Sequence, residues 1–130
     1  IPSKLDVTTT IEKIHKAGGI AIAAHPTAIY RGKLRRQVTA EFDAVEVINA
    51  SSFPFRFSNY INRKIAQRFN LPHTGGTDAH TAIEIGMAYS LVDADLEKDE
   101  IISAIKRGKV QAYGRAIPWL MRLKRGKSNF

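Results

Sequence analysis

The sequence predicts an α/β protein in which helices cover a parallel sheet. Short apolar runs, typical of strands buried on both faces, alternate with segments whose apolar residues are spaced for one face of a helix. Four or five strands are visible in the 130 residues, which is too few to close a barrel of the usual eight. We therefore expect a small open sheet or part of a larger one.

The chain opens with a predicted helix and a buried strand. The capping-box spacing of Thr9 and Glu12 predicts the start of the helix, and Gly18-Gly19 ends it. The wholly apolar residues 20–24 form the first predicted strand. This strand stops at His25-Pro26, because proline cannot continue a central ladder.

The later elements follow the same alternation. Residues 28–38 are basic and predict a loop or short helix, and the tail beyond residue 126 is expected to fray. Further strands are predicted at residues 44–48, 71–74, 87–92 and 110–113, and further helices at residues 57–69 and 95–108. Since strands and helices alternate, the expected core is a parallel sheet with covering helices.

Composition excludes several classes of function. The chain has no cysteine, so disulfides, thiolate metal sites and cysteine nucleophiles are excluded, which fits a reducing cytoplasm. No apolar run is long enough to cross a bilayer, so no membrane partner is expected.

The net charge of +8 suggests an anionic partner, either a phosphorylated small molecule or a nucleic acid. The cations cluster within residues 31–36 and 115–127. A set of solvated surface charges would explain these clusters equally well.

Three potential metal ligands follow predicted strands. His25 comes after the first strand, and Asp78 and His80 come after the third, beyond the turn Gly75-Gly76. Parallel sheets place ligands at the carboxyl ends of their strands, so the three residues should converge on one edge. The spacing of Asp78 and His80 would direct both side chains to one side of an extended segment. Imidazole with carboxylate suits zinc, manganese or iron.

Four segments, in this order, resemble the last motifs of the PHP (polymerase and histidinol phosphatase) family of metal-dependent phosphoesterases. They are Gly18-Gly-Ile-Ala-Ile-Ala-Ala-His-Pro26, Asp43-Ala-Val-Glu-Val-Ile-Asn49, Gly75-Gly-Thr-Asp-Ala-His80 and Ile85-Gly-Met-Ala-Tyr89. The similarity continues through residues 101–115 and covers most of the chain.

The resemblance implies a distorted (β/α)7 TIM-like barrel with two or three divalent metal ions at its carboxyl rim. Such enzymes hydrolyse phosphoesters by metal-activated water, as phosphatases or as phosphodiesterases and exonucleases. The motif matches imply that His25, Asp78 and His80 are ligands. Glu46 matches no regular ligand of the family, so it either supports a neighbouring ligand, has a structural role or is a further ligand.

The chain also departs from the family. The family opens with a His-x-His motif and supplies another histidine and a bridging glutamate before the Ala-His-Pro segment, and none of these is present. We therefore expect residues 1–130 to be the C-terminal part of a single PHP domain, completed by a missing N-terminal segment or a second chain.

The phosphate-binding residues are less defined than the ligands. Arg31 and Lys33 follow His25 closely enough to reach a phosphate at the rim, and Arg115 is a weaker candidate. The alternative to an active phosphoesterase is a catalytically inactive nucleic-acid-binding or accessory domain that uses the basic segments.

Overall fold

The computed structural model describes residues 4–27 and 34–125 and has a mixed α/β fold. The helices are α1 (Val7–Lys16), α2 (Leu34–Gln37), α3 (Phe55–Arg68), α4 (Lys98–Lys106) and α5 (Trp119–Lys124). The strands are β1 (Ile22–Ala23), β2 (Ala44–Asn49), β3 (His73–Gly76), β4 (Ala88–Val92) and β5 (Val110–Gly114), and a 3₁₀ turn covers Ala82–Glu84.

The first three strands form a parallel sheet in the order β1-β2-β3, which confirms the predicted core. The central strand β2 is buried on both faces, with Ala44, Val45 and Val47 fully inaccessible to solvent. That burial explains the apolar run from which β2 was predicted. β1 has only two residues, fewer than predicted. Its Ile22 is partly exposed, as expected for an apolar residue on an edge strand.

The predicted parallel arrangement does not extend to β4 and β5. These two pair antiparallel, from Ala88 opposite Gly114 to Val92 opposite Val110, and form a separate sheet. In β4, Tyr89 and Leu91 are exposed between less exposed neighbours, the alternation typical of an antiparallel pair with one face in solvent. The two sheets are joined through Ser90, whose hydroxyl accepts a hydrogen bond from Gly75 N at 2.9 Å.

Helix ends also differ from prediction. The N-cap of α1 is Asp6 rather than Thr9, since Asp6 Oδ1 accepts a hydrogen bond from Thr9 N at 2.9 Å. An aspartate cap was available three residues earlier, and the chain uses it. Helix α5 was not predicted at all. Its N-cap is Pro118, which precedes the first helical residue Trp119.

The main core lies between the parallel sheet and the helices α1 and α3. It is built around Val45 and Val47 of β2, with Ile11 from α1 and Ala66 from α3. A smaller cluster lies under α4, where Ile105 packs on Val110 of β5 and Ala44 of β2. Among residues 4–27 and 34–125, no helix has both the length and the apolar character needed to cross a membrane.

Replacement of Gly114 by alanine is expected to destabilise the β4–β5 pair. An added Cβ would clash with Ala88 Cβ and lie 2.7 Å from Ala88 Cα, and this backbone is fixed by the strand pairing. We expect the free energy of unfolding to fall by about 2 kcal/mol or more, as for other overpacked sites. Urea denaturation would measure the loss.

Gly108→Ala is the matched control for this substitution. A Cβ at Gly108 meets nothing within 4 Å, although φ is +75° there, so only backbone strain of about 1 kcal/mol is expected. Equal losses in the two variants would show that the close approach to Ala88 is unimportant.

Candidate metal centre at the carboxyl edge of the sheet

His25 lies just past the carboxyl end of β1. Its φ of +31° is unusual for a residue other than glycine, and it turns the chain away from the strand. The backbone N–H of His25 donates to Glu46 Oε2 at 2.8 Å. Pro26 is buried, and Thr27 donates to Asn62 of α3 at 2.8 Å. These contacts therefore hold the backbone in place at His25 and at the two residues that follow it.

Glu46 links the ends of all three parallel strands. Besides the His25 N–H, its Oε2 accepts a hydrogen bond from Asn49 Nδ2 at 3.1 Å. On the β3 side, a Cβ added at Gly76 would clash with Glu46 Oε1, so glycine is needed for the carboxylate to approach that strand. Glu46 thus fixes backbone at this edge, and whether it also binds a metal stays a prediction.

Asp78 and His80 lie in the loop that follows β3, and both are exposed. The expectation of an extended segment here is wrong, because Asp78 has a φ of +51°. This turn brings His80 Nδ1 to 2.9 Å from the Asp78 carbonyl oxygen. A carbonyl oxygen only accepts hydrogen bonds, so Nδ1 must carry the proton and donate. In neutral His80, Nε2 then keeps its lone pair.

The structure places a further residue at this loop, Glu84, which sequence reasoning missed. Its side chain is completely buried, and Oε2 accepts a hydrogen bond from the His80 backbone N–H at 2.7 Å. Arg125 donates to both carboxylate oxygens, at 2.6 and 3.0 Å. These hydrogen bonds from the Arg125 side chain are the main cause that lowers the pKa of Glu84 to about 2, while burial opposes the shift.

The signal for Glu84 in the sequence is faint. The carboxylate lies between Ile83 and Ile85, a pattern that predicts the isoleucines inside and the glutamate outside. The structure has the reverse, with Ile83 58% and Ile85 73% exposed. A lone acid between two apolar residues, in a chain with more basic than acidic residues, is the hint that the sequence offers.

Two arginines of the C-terminal basic cluster point into the protein rather than toward a partner. Arg122 donates to the carbonyl oxygens of Ala50, Ser51 and Ile117, and Arg125 pairs with Glu84. The hydrogen bonds to Ala50 and Ser51 hold α5 against the segment that follows β2. Such contacts account for both charges without an anionic ligand.

The three predicted phosphate-binding residues belong to neither of these arginine contacts. Arg31 and Lys33 lie outside the described residues. Arg115 is exposed just beyond β5, and its backbone N–H donates to Met87 O at 2.9 Å. All three phosphate contacts stay predictions.

The predicted ligands thus share one edge of the sheet without forming a complete centre in the described chain. His25 follows β1, and Asp78 and His80 follow β3. Within residues 4–27 and 34–125, no three His, Asp or Glu side chains are grouped closely enough to hold a metal ion. The assignment of these three residues as ligands stays a prediction.

A short parallel sheet with polar residues at its carboxyl edge defines an α/β protein whose ligand site is expected at that edge. Residues 57–110 match the model of the PHP-associated family. This match confirms the resemblance to the C-terminal part of PHP-family proteins that was predicted from the sequence.

The chain is also similar to a curated protein, the 5'-3' exoribonuclease of Haemophilus influenzae. The two are 34% identical over 98 residues, an alignment that covers 68% of this chain and 35% of that protein. The aligned part therefore spans about a third of the length of that relative.

Proposed function

We propose that this chain contributes to the active site of a metal-dependent phosphodiesterase of the PHP family that acts on nucleic-acid ends. The observation that carries the proposal is the hydrogen bond from His80 Nδ1 to the Asp78 carbonyl oxygen. A histidine that binds a metal through one ring nitrogen usually donates from the other to a carbonyl or carboxylate. His80 has this arrangement, and it lies in the motif where the family places a ligand.

The residues present fit a divalent metal ion in type, and they follow strands β1 and β3 at one edge of the sheet. Two imidazoles and one carboxylate, with no thiolate, suit zinc, manganese or iron. We propose that His25, Asp78 and His80 supply part of a ligand set that other residues complete, from a preceding segment of the same protein or from a second chain. In this proposal β1, β2 and β3 are three strands of a distorted (β/α)7 barrel in the cytoplasm.

The metal ions would supply Lewis acidity, which lowers the pKa of a water molecule and neutralises charge on the phosphoryl oxygens. Residues of this chain would orient the metal-binding groups at the carboxyl edge. His80 offers Nε2 as an acceptor, because Nδ1 is engaged. Glu46 holds the His25 backbone, and Glu84 holds the His80 backbone from the buried side. The backbone at His25 and at His80 is therefore held in place before any ligand binds, which limits the entropy lost on binding.

The substrate we propose is a single-stranded nucleic acid with a free end, most simply RNA. The similar Haemophilus protein bears the name 5'-3' exoribonuclease, and the net charge of +8 favours a polyanion over a small phosphate monoester. The alternative is a phosphatase acting on small phosphorylated molecules, and faster turnover of p-nitrophenyl phosphate than of RNA in the assay below would favour it.

The test is hydrolysis of single-stranded RNA by the complete protein. We expect turnover of a 5'-phosphorylated oligonucleotide with manganese or zinc, much slower turnover of p-nitrophenyl phosphate, and loss of both after chelation. The 130 residues assayed alone should be essentially inactive, since they would supply only part of the ligand set.

Three outcomes would contradict the proposal. Turnover that survives chelation would exclude the metal mechanism. Full activity of the short chain would exclude the need for further ligands. Metal-independent, salt-sensitive RNA binding with no hydrolysis by the complete protein would favour the inactive nucleic-acid-binding alternative.

A further inference from the structure

A basic cleft lies between α2 and α3, away from the edge that carries the predicted ligands. Its volume is about 720 Å³. Helix α3 starts after β2 ends and leads to the start of β3, so it runs from the carboxyl edge back toward the amino ends of the strands. The cleft is lined by its last turns, together with α2. The lining residues that matter here are Arg35, Arg36, Ile61, Lys64, Arg68 and Phe69.

The four cations of this cleft are exposed and concentrated on one surface. Lys64 and Arg68 lie one helical turn apart, a spacing at which like charges repel. In the part of the chain that the structure describes, no carboxylate lies within ion-pair distance of any of the four. The positive charges that line the cleft are therefore not neutralised by carboxylates in this part of the chain, and their combined field attracts anions.

Apolar and aromatic groups lie beside these charges. Ile61 and Phe69 are half-buried in the lining of the cleft. The Arg68 guanidinium lies 5.3 Å from the centre of the Phe69 ring, and Lys64 Nζ lies 5.6 Å from the centre of the Tyr60 ring. A ligand that carries both phosphates and flat rings would use both kinds of group.

Exposed aromatic residues continue the same face of α3 toward the carboxyl edge. Phe57 is 62% and Tyr60 57% exposed, and both lie within one helical face that includes Lys64 and Arg68. At 1.5 Å per residue, the stretch from residue 57 to 68 is roughly 16 Å long, enough for a few nucleotides. Aromatic groups near the edge and cations farther away form a track for a strand whose bases are unpaired.

We propose that this face of α3, with the cleft at its end, binds the phosphate backbone and bases of single-stranded RNA whose end lies at the carboxyl edge. This inference rests on the proposed function for the identity of the strand. A duplex hides its bases from Phe57 and Tyr60, so the exposed rings favour a single strand. An acidic peptide would satisfy the cations but would leave the rings without partners.

Binding is measured with the complete protein in the presence of chelator, so that hydrolysis plays no part. Fluorescence anisotropy of a labelled single-stranded RNA gives Kd at several salt concentrations. The test variant is Lys64→Gln with Arg68→Gln. The matched control is Arg107→Gln with Lys109→Gln, which removes two exposed cations outside the cleft.

We expect the test variant to bind about tenfold or more weakly, with the slope of log K against log salt reduced by about 1.4, roughly 0.7 for each lost phosphate contact on a single strand. Tyr60→Ala should weaken binding about tenfold with little change in slope, because stacking is not electrostatic. The control variant should behave like the unchanged protein.

Equal losses in the test and control variants, or unchanged binding in the test variant, would overturn the inference. So would displacement of the RNA by polyglutamate at equal charge, which would assign the cleft to acidic peptides. If RNA binds through the cleft but no substrate is hydrolysed, the proposed function fails and the binding site stands.

Discussion

Replacing His80 by alanine in the complete protein is expected to lower the rate of RNA hydrolysis a thousandfold or more. The loss of a thousandfold corresponds to about 4 kcal/mol of transition-state stabilisation, since each factor of ten is 1.36 kcal/mol. So large an effect is expected because an incomplete ligand set would weaken both the acidification of water and the neutralisation of phosphoryl charge. Asp78→Asn, which keeps the size of the side chain, should have a similar effect.

The measurement must separate a lost ligand from a lost fold. Metal content per protein, determined by elemental analysis, should fall together with kcat in both variants. His15→Ala is the control histidine, because His15 lies at the amino end of the sheet, where Nε2 is 2.7 Å from Asp43 Oδ2. This variant should keep its metal and its turnover. A His80→Ala protein that retained both would exclude His80 as a ligand.

The parts of this fold that the sequence predicted are those set by local pattern. β2 is an apolar run broken only by Glu46 and Asn49, because both of its faces are covered. The helical spacing of apolar residues in 57–69 predicted α3, although three of its four buried residues are polar. The location of His25, Asp78 and His80 could be predicted because they follow β1 and β3, and the carboxyl ends of parallel strands share one edge. Local pattern therefore gave the edge on which the candidate site lies.

The parts that the sequence did not predict depend on contacts between distant residues. Helix α5 is short, and its Arg122 reaches the carbonyl oxygens of Ser51 and Ala50, 71 and 72 residues earlier in the chain. Glu84 is buried because Arg125 meets it from 41 residues away. The periodicity of apolar residues in a short stretch of sequence does not reveal such long-range pairs. The turn at Asp78 was missed for a related reason, because an aspartate with positive φ looks in the sequence like any other aspartate.

The buried pair of Glu84 and Arg125 gives the second large effect, on stability. Glu84→Gln should lower the free energy of unfolding at neutral pH by about 3 kcal/mol, because Arg125 would keep its partly buried position without a counter-charge. Asp99→Asn is the matched control. Asp99 also lies near a cation, Lys98, at 3.5 Å, but both side chains are more than 80% exposed, so the change should be less than about 1 kcal/mol.

The same pair predicts how stability depends on pH. The folded-state pKa of Glu84 is about 2, below its usual value of 4.5, mainly because Arg125 donates hydrogen bonds to the carboxylate. A carboxyl group whose pKa is lowered by folding binds fewer protons in the folded state than in the unfolded state. Its contribution to stability is therefore complete above its usual pKa and is lost as the pH falls from about 4.5 toward about 2.

Urea unfolding of the unchanged protein and of Glu84→Gln, measured at neutral pH and at about pH 3, tests both statements together. The difference in stability between the two proteins should shrink at the lower pH, because protonation begins to do to Glu84 what the substitution does permanently. The double variant Glu84→Gln with Arg125→Gln should recover part of the loss, since no buried charge is then left unpaired. A difference that stayed constant with pH would show that Glu84 acts through its size or its hydrogen bond to His80 N. In that case the charge of Glu84 would not hold the loop that carries His80.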